Sequence, residues 1–249
     1  MADPALMHTF SENTAGLANE VIAYTLERFA MNPPPLDGPL TPAELADATG
    51  PTITSAGLGG AEALRLWVDV LAPACISQDH PRALSFVPSA PTEAAALFDL
   101  VVGASSIYAG SWLEGAGAVH AENEALRWLA DLAGLGSGAG GCFVSGGSAG
   151  NLSALVAARH AAATARLAEG RPRPARWSLV ASAEVHSSVA ATARVMDIEV
   201  IDVPAEERGR LTGDGTRRLI EGLDPDVLDG VFALVATAGT TNAGIVDDL

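Results

Sequence analysis

Three short stretches of the chain carry residue types able to do chemistry. The first is Ser145-Gly146-Gly147-Ser148-Ala149-Gly150-Asn151-Leu152, set between an apolar run, Cys142-Phe143-Val144, and an Ala/Leu-rich stretch of helical character. A glycine-serine turn where a strand hands over to a helix suits a phosphate. The first backbone N–H groups of a helix lack partners, they lie at the positive end of the helix dipole, and glycine lets an anion approach closely. Ser148 adds a hydroxyl donor. Gly146 to Gly150 also spell Gly-x-Ser-x-Gly, the nucleophile elbow of serine hydrolases, in which Ser148 would attack. The second stretch is Glu184-Val185-His186-Ser187-Ser188 and the third is Gly239-Thr240-Thr241-Asn242.

The elements that must position these stretches follow from the apolar pattern. Strands are predicted at 142–145, 177–183, 198–203 and 231–238, with helices near 149–168, 187–196 and 214–223. Nearly continuous apolar strands joined by helices predict an α/β domain whose parallel sheet is covered on both faces. Ligands of such sheets gather at the carboxyl ends of the strands, so the loops after Val144, Ala183 and Ala238 should converge on one crevice.

Upstream the pattern is helical. Ala18, Val21, Ile22, Thr25 and Phe29 share one helix face, and Pro33-Pro34-Pro35 ends that helix. Thr41-Pro42-Ala43-Glu44 reads as a capping box with proline at the first helical position. Leu64, Trp67, Val68 and Leu71 form a further stripe, residues 80–91 form a proline-rich connector, and Thr92 caps a helix to about residue 105. The domain boundary falls there, giving an N-terminal helical segment at 1–91 and the α/β domain at 92–249. Leu126, Leu129, Ala130 and Ala133 stripe another helix, stopped by the glycine-rich run at 134–141. The arginine-proline stretch at 171–176 reads as a solvated linker.

Composition limits the chemistry. The 249 residues carry a net charge of −16, which argues against nucleic acid and anionic membrane surfaces and for small-molecule partners. No apolar run nears the ~18 residues of a membrane span, and Met1-Ala2-Asp3-Pro4 does not read as a signal peptide, so a cytoplasmic protein is expected. Cys75 and Cys142 read as buried free thiols, and five scattered histidines predict no metal site. All 14 basic residues are arginine, which excludes a Walker-type phosphate loop and any covalent cofactor anchor on lysine within these residues.

The competing motifs separate on context. The G-x-G-x-x-G run at 136–141 precedes a strand instead of following one, which removes the dinucleotide reading. A serine hydrolase would need an acid and then a histidine downstream of Ser148. His160 falls within the following helix, nothing in the sequence orients Glu169 or Glu184 toward His186, and an H-G-G-G oxyanion segment is missing.

Taken in order, the three stretches resemble the group II amino acid decarboxylases dependent on pyridoxal 5′-phosphate (PLP), which include the aromatic amino acid and glutamate decarboxylases. Ser145 to Leu155 is similar to that family's phosphate loop and helix, His186-Ser187-Ser188-Val189 to its cofactor-stacking segment, and the run from Ala236 to Asp248 to its Gly-Thr-Thr loop. His80-Pro81 and the run from Leu113 to Leu135 resemble its substrate-side loop and dimer-contacting helix. The likeness covers roughly residues 80–249.

The resemblance implies the large domain of the fold type I, PLP-dependent transferase-like architecture, and a carboxy-lyase acting on an amino acid. It implies Gly147 and Ser148 on the cofactor phosphate, His186 as the stacking and catalytic residue, and Thr240 or Thr241 facing the cofactor or His186. Asp247 would cap a following helix, while His80, Tyr108 and Trp112 would line the substrate side of a homodimeric enzyme. The family's pyridine-binding aspartate and anchoring lysine belong to H-x-D-A-A and H-K segments that are not among these residues, so the chain reads as a truncated N-terminal portion, inactive alone. An aminotransferase or carbon–sulfur lyase of the same fold, or a non-catalytic binding or dimerising fragment, are the alternatives; Ser148 hydrolase chemistry is the remotest.

Overall fold

A computed structural model describes residues 9–84, 89–204 and 209–248. They divide into two compact units, the first ending at Ser106 and the second beginning at Ile107. The helix capped by Thr92, which the sequence reading assigns to the α/β domain, therefore falls in the first unit.

The first unit holds α1 (Glu12–Ala30), α2 (Pro42–Thr49), α3 (Gly60–Leu66) and α4 (Glu93–Ser105). Ser11, Thr41 and Thr92 accept from the third backbone N–H beyond each, so the predicted Thr41–Glu44 box and Thr92 cap are present. The stripe expected at Leu64, Trp67, Val68 and Leu71 is broken. After Leu66 the chain runs into one π turn, Trp67–Leu71, which leaves Trp67 exposed and Leu66 as the buried residue. Arg28 donates to Asp79 at 2.7 Å, and that hydrogen bond holds the Asp79 carboxyl below its ordinary range. α4 is apolar along most of its length yet buries none of its residues.

The second unit begins with α5 (Trp112–Leu132) and α6 (Gly147–Ala168), followed by β1 (Ser178–Ser182), α7 (Ser187–Met196), β2 (Glu199–Val203), α8 (Gly213–Glu221), α9 (Pro225–Asp229) and β3 (Val231–Val235). The sheet order is β2-β1-β3, parallel throughout, with Val180 beside Ile201 and Leu234. The central strand is buried at every position, as a parallel sheet covered on both faces requires. Leu179 and Ala181 face Leu155 of α6 and Val189, Ala193 and Met196 of α7. Val180 faces the other way, into Val203, Leu211 and Leu219. Each such Val, Leu or Met side chain removed from water contributes about 1.5–3 kcal/mol.

Gly230 admits β3 to this arrangement. A Cβ there would stand 2.0 Å from the Arg176 carbonyl oxygen, and the Gly230 carbonyl accepts the Ser178 N–H at 2.9 Å.

Two further expectations fail. Residues 142–145 are not a strand, because a strand exists only through its ladder partners and none of the described strands lies beside them. Cys75 and Cys142 are exposed, not buried, the first in a turn after the π helix and the second beside the glycine run. Among the described residues no helix is long and apolar enough to cross a membrane, and no group of His, Cys, Asp or Glu could hold a metal ion.

Candidate cofactor site

At the carboxyl end of β1 the chain turns, with Val185 N–H donating to the Ser182 carbonyl, and enters α7 through His186. His186 is the N-cap of that helix: its Nδ1 accepts the Ser188 N–H at 3.2 Å and lies 2.8 Å from the Ser188 hydroxyl. Asn151, one turn into α6, donates its side-chain amide to the same hydroxyl at 2.7 Å. Ser188 is buried whereas His186 is exposed. The imidazole is thus held along one edge and open elsewhere, as a ring that stacks on a ligand must be.

The first turn of α6 has the opposite character. Its N-cap, Gly146, has φ +96°, a conformation that disfavours any residue with a Cβ, and supplies no side-chain cap. The N–H groups that open the helix, at Gly147 and Ser148, are left for an outside acceptor. Both residues are exposed, and nothing lies within 4 Å of where a Gly147 Cβ would stand, so the backbone can be approached. The chain contains 30 acidic residues, yet α6 and α7 are the described helices with none in their first turn. No carboxylate in the first turn offsets the positive end of either dipole. Upstream, Glu122 of α5 accepts the Phe143 N–H at 2.9 Å and holds the approach to this turn.

The third stretch lies beyond β3. Thr240 is buried and closes its own loop: its hydroxyl accepts from the Ile245 N–H at 3.1 Å and its N–H donates to the Ile245 carbonyl at 2.9 Å. Thr241 is exposed. Among the described residues Asp247 serves a different purpose from the expected helix cap. Its buried carboxylate accepts the Leu211 N–H at 2.9 Å and the Thr237 N–H at 2.8 Å, joining the loop after β3 to the segment before α8.

The remaining sequence candidates are placed as follows. His80 lies in the first unit, where its Nδ1 accepts the Arg82 N–H at 3.0 Å. Tyr108 and Trp112 lie in the second unit and are exposed. Among the described residues Ser148 has no histidine partner: His186 turns its Nδ1 to Ser188, and His160 sits farther along α6. The nucleophile–base pair of a hydrolase is absent among the described residues.

Sequence reasoning missed Asn151 and Ser188 as the ring's supports, although Ser188 stands two residues after His186, the spacing of an N-cap contact. It also missed Glu122 and the role of Asp247, whose partners are remote in sequence. The donor set nevertheless fits PLP: open helix-terminal amides and a hydroxyl for a phosphate, and an edge-held imidazole for a planar ring.

A family model described as the pyridoxal-dependent decarboxylase conserved domain matches residues 64–249. An aromatic-L-amino-acid decarboxylase of Bacillus atrophaeus is 30% identical over 174 residues, covering 69% of this chain and 35% of the relative. An L-2,4-diaminobutyrate decarboxylase of Acinetobacter baumannii is 24% identical over 224 residues, covering 83% of this chain and 43% of the relative. The chain therefore spans well under half the length of these two relatives. Among solved structures, Oryza sativa TDC with PLP and tryptamine superposes with a TM-score of 0.74 at 22% identity, covering 96% of this chain and 54% of that one. Mouse CSAD superposes with a TM-score of 0.78 at 22% identity, covering 99% of this chain and 51% of that one. These likenesses establish the fold expected from the sequence.

Proposed function

Because this chain belongs to the pyridoxal-dependent decarboxylase family, we propose that its second unit supplies the phosphate and ring contacts of a PLP site in an amino acid carboxy-lyase. The observation that carries the reading is the pairing of an open, uncapped α6 N-terminus with a histidine ring tied to the same helix through Asn151 and Ser188. Gly147 and Ser148 hold the phosphate through their N–H groups, and the Ser148 hydroxyl adds a donor. His186 stacks on the pyridine ring as the catalytic contact, and Thr240 and Thr241 border the cofactor on the β3 side. PLP, when bound, supplies an electron sink for the pair left when an α-carboxylate departs as CO2. Tyr108 and Trp112 offer exposed aromatic surface for an amino acid substrate. His80 is a substrate contact on the strength of the family resemblance.

The setting we propose is a cytoplasmic homodimer. Exposed, unpaired Cys75 and Cys142 suit a reducing compartment. The exposed apolar side chains Phe98 and Val102 of α4 and Trp128 and Leu132 of α5 suit burial against a second copy.

The test measures 14CO2 release from carboxyl-labelled amino acids by the protein of the complete reading frame with PLP. Release that falls strongly in His186→Ala while PLP stays bound supports the proposal; absence of release from any amino acid tried overturns the activity. The 249-residue chain should bind PLP reversibly and leave no lysine adduct after borohydride reduction, since it contains no lysine. Failure to bind PLP would overturn the site assignment.

A further inference from the structure

We infer that Asn151 is a positioning residue that, through the Ser188 hydroxyl, fixes His186 as the tautomer carrying its proton on Nε2. Three contacts carry the inference: Asn151 Nδ2 to Ser188 Oγ at 2.7 Å, Ser188 Oγ to His186 Nδ1 at 2.8 Å, and Ser188 N–H to His186 Nδ1 at 3.2 Å.

The polarity follows from what each group can do. A side-chain amide nitrogen only donates, so Ser188 Oγ is the acceptor toward Asn151. The hydroxyl has one hydrogen, and it goes to the other neighbour, His186 Nδ1. A backbone N–H, which also only donates, points at the same ring nitrogen. Two donors converge on Nδ1, which is therefore the bare, accepting nitrogen, and the hydrogen of the neutral ring sits on Nε2.

The backbone contact also settles the assignment of the Asn151 amide. With Asn151 turned over, its oxygen would accept from the Ser188 hydroxyl, and a His186 Nδ1–H could donate to Ser188 Oγ. That arrangement would set Nδ1–H against the Ser188 N–H, donor against donor, and the backbone amide cannot reverse its polarity. Ser188 is buried, so its hydroxyl takes its partners from the protein, and an unmet hydrogen bond there is costly.

The helix that presents Gly147 and Ser148 therefore also dictates, one turn further on, which atom of His186 bears the proton. The site is offered an N–H donor at Nε2, along a ring whose plane is fixed by the helix it caps. The tautomer is a property of the chain alone. Its use, donation from Nε2 to an acceptor oxygen of a bound amino acid or cofactor, rests on the PLP reading.

The experiment is long-range 1H–15N correlation NMR on the 249-residue chain labelled with 15N-histidine, without cofactor, at a pH where histidine is neutral. His186 is identified by the signal lost in His186→Gln. A pyridine-like Nδ1 and a pyrrole-like Nε2 are expected. In Asn151→Asp the carboxylate can only accept, so the Ser188 hydroxyl turns to it, and the two His186 nitrogen signals should move toward each other as the tautomers mix. Ser188→Ala, a smaller change checked for folding by circular dichroism, should produce the same movement. A pyrrole-like Nδ1 in the unmutated chain overturns the inference, as do unmoved nitrogen signals in both variants. PLP binding is titrated separately. Loss of PLP binding with the expected tautomer intact defeats the cofactor reading and not this one, and the reverse outcome defeats this one alone.

Discussion

The two ends of α6 are built to opposite rules. At the N-terminus a glycine with φ +96° provides no cap, no acidic residue occupies the first turn, and Gly147 and Ser148 stand exposed with their N–H groups open. At the C-terminus Arg166 is buried and heavily engaged. It donates from Nε and one terminal nitrogen to the Pro172 carbonyl at 3.0 and 2.6 Å, reaches the Asp229 carbonyl at 2.9 Å, and pairs with both Asp229 carboxylate oxygens at 3.1 and 2.7 Å. Its guanidinium also lies 5.8 Å from the centre of the Trp177 ring, which meets Phe232 edge-on. One end has no side-chain cap and the other is saturated with contacts that hold the fold. A cation in the last turn complements the dipole, while the bare first turn leaves the positive end available. The contrast separates residues whose loss should cost stability from residues whose loss should cost binding.

Substitution at the saturated end should cost the most. Arg166→Met strands the Pro172 and Asp229 carbonyls and removes a charge partner from Asp229, so urea unfolding should show a loss of about 2–3 kcal/mol. PLP affinity of the folded fraction should be unchanged. A large fall in that affinity with little lost stability would show that Arg166 serves binding and not the fold.

Gly146→Ala should come next, and it acts on both properties. A Cβ at φ +96° costs about 1–2 kcal/mol, and relaxing that strain displaces the amides that follow. Calorimetric titration with PLP should therefore show weaker binding alongside the lower urea midpoint. Unchanged affinity would detach the α6 N-terminus from the phosphate.

Smaller still, Ser148→Ala removes one exposed hydroxyl and no backbone donor. Affinity for PLP should fall about three- to tenfold, the worth of roughly 1 kcal/mol, with stability unaltered. A change in the urea midpoint would show that Ser148 serves the fold, contrary to the character assigned to its end of the helix.

How far these two ends were legible in the sequence depends on how local their determinants are. Caps act within three residues, so Thr41 and Thr92 announced their helices, and the alternation of apolar runs announced β1, β2 and β3 within one to three residues. The Ser145–Ser148 turn and the His186 segment stood out because their residue types and order resemble a family pattern, and they lie at the starts of α6 and α7. Pairing across the chain was not. Residues 142–145 have the composition of a strand but no ladder partner among the described strands, and composition says nothing of partners. Arg166 lay in an Ala-rich helix with no sign of Asp229, 63 positions on. Arg171, read as part of a solvated linker, pairs with the same Asp229. The Asn151–Ser188 bond spans 37 positions and exists only because α6 packs on α7.

The smallest effect at neutral pH sharpens the saturated end by its pH dependence. Hydrogen bonds from Arg166 and then Arg171 lower the Asp229 carboxyl to about 2, against roughly 3.9 for an unfolded aspartate. A depressed folded-state value means the carboxylate stabilises the fold above the unfolded value, and this contribution is lost as pH falls through the folded one. Asp229 is partly exposed, so solvent screens the pair and the neutral-pH effect is modest. Asp229→Asn keeps a carbonyl acceptor for the arginines but cannot ionise. Urea midpoints of the two proteins should differ at pH 7 and converge as pH is lowered from about 4 toward about 2, the window between the two values. A difference that stays constant across that window would mean the Arg166 end is held by packing and neutral hydrogen bonds alone. Charge would then belong only to the open end of the helix, where the anion is expected.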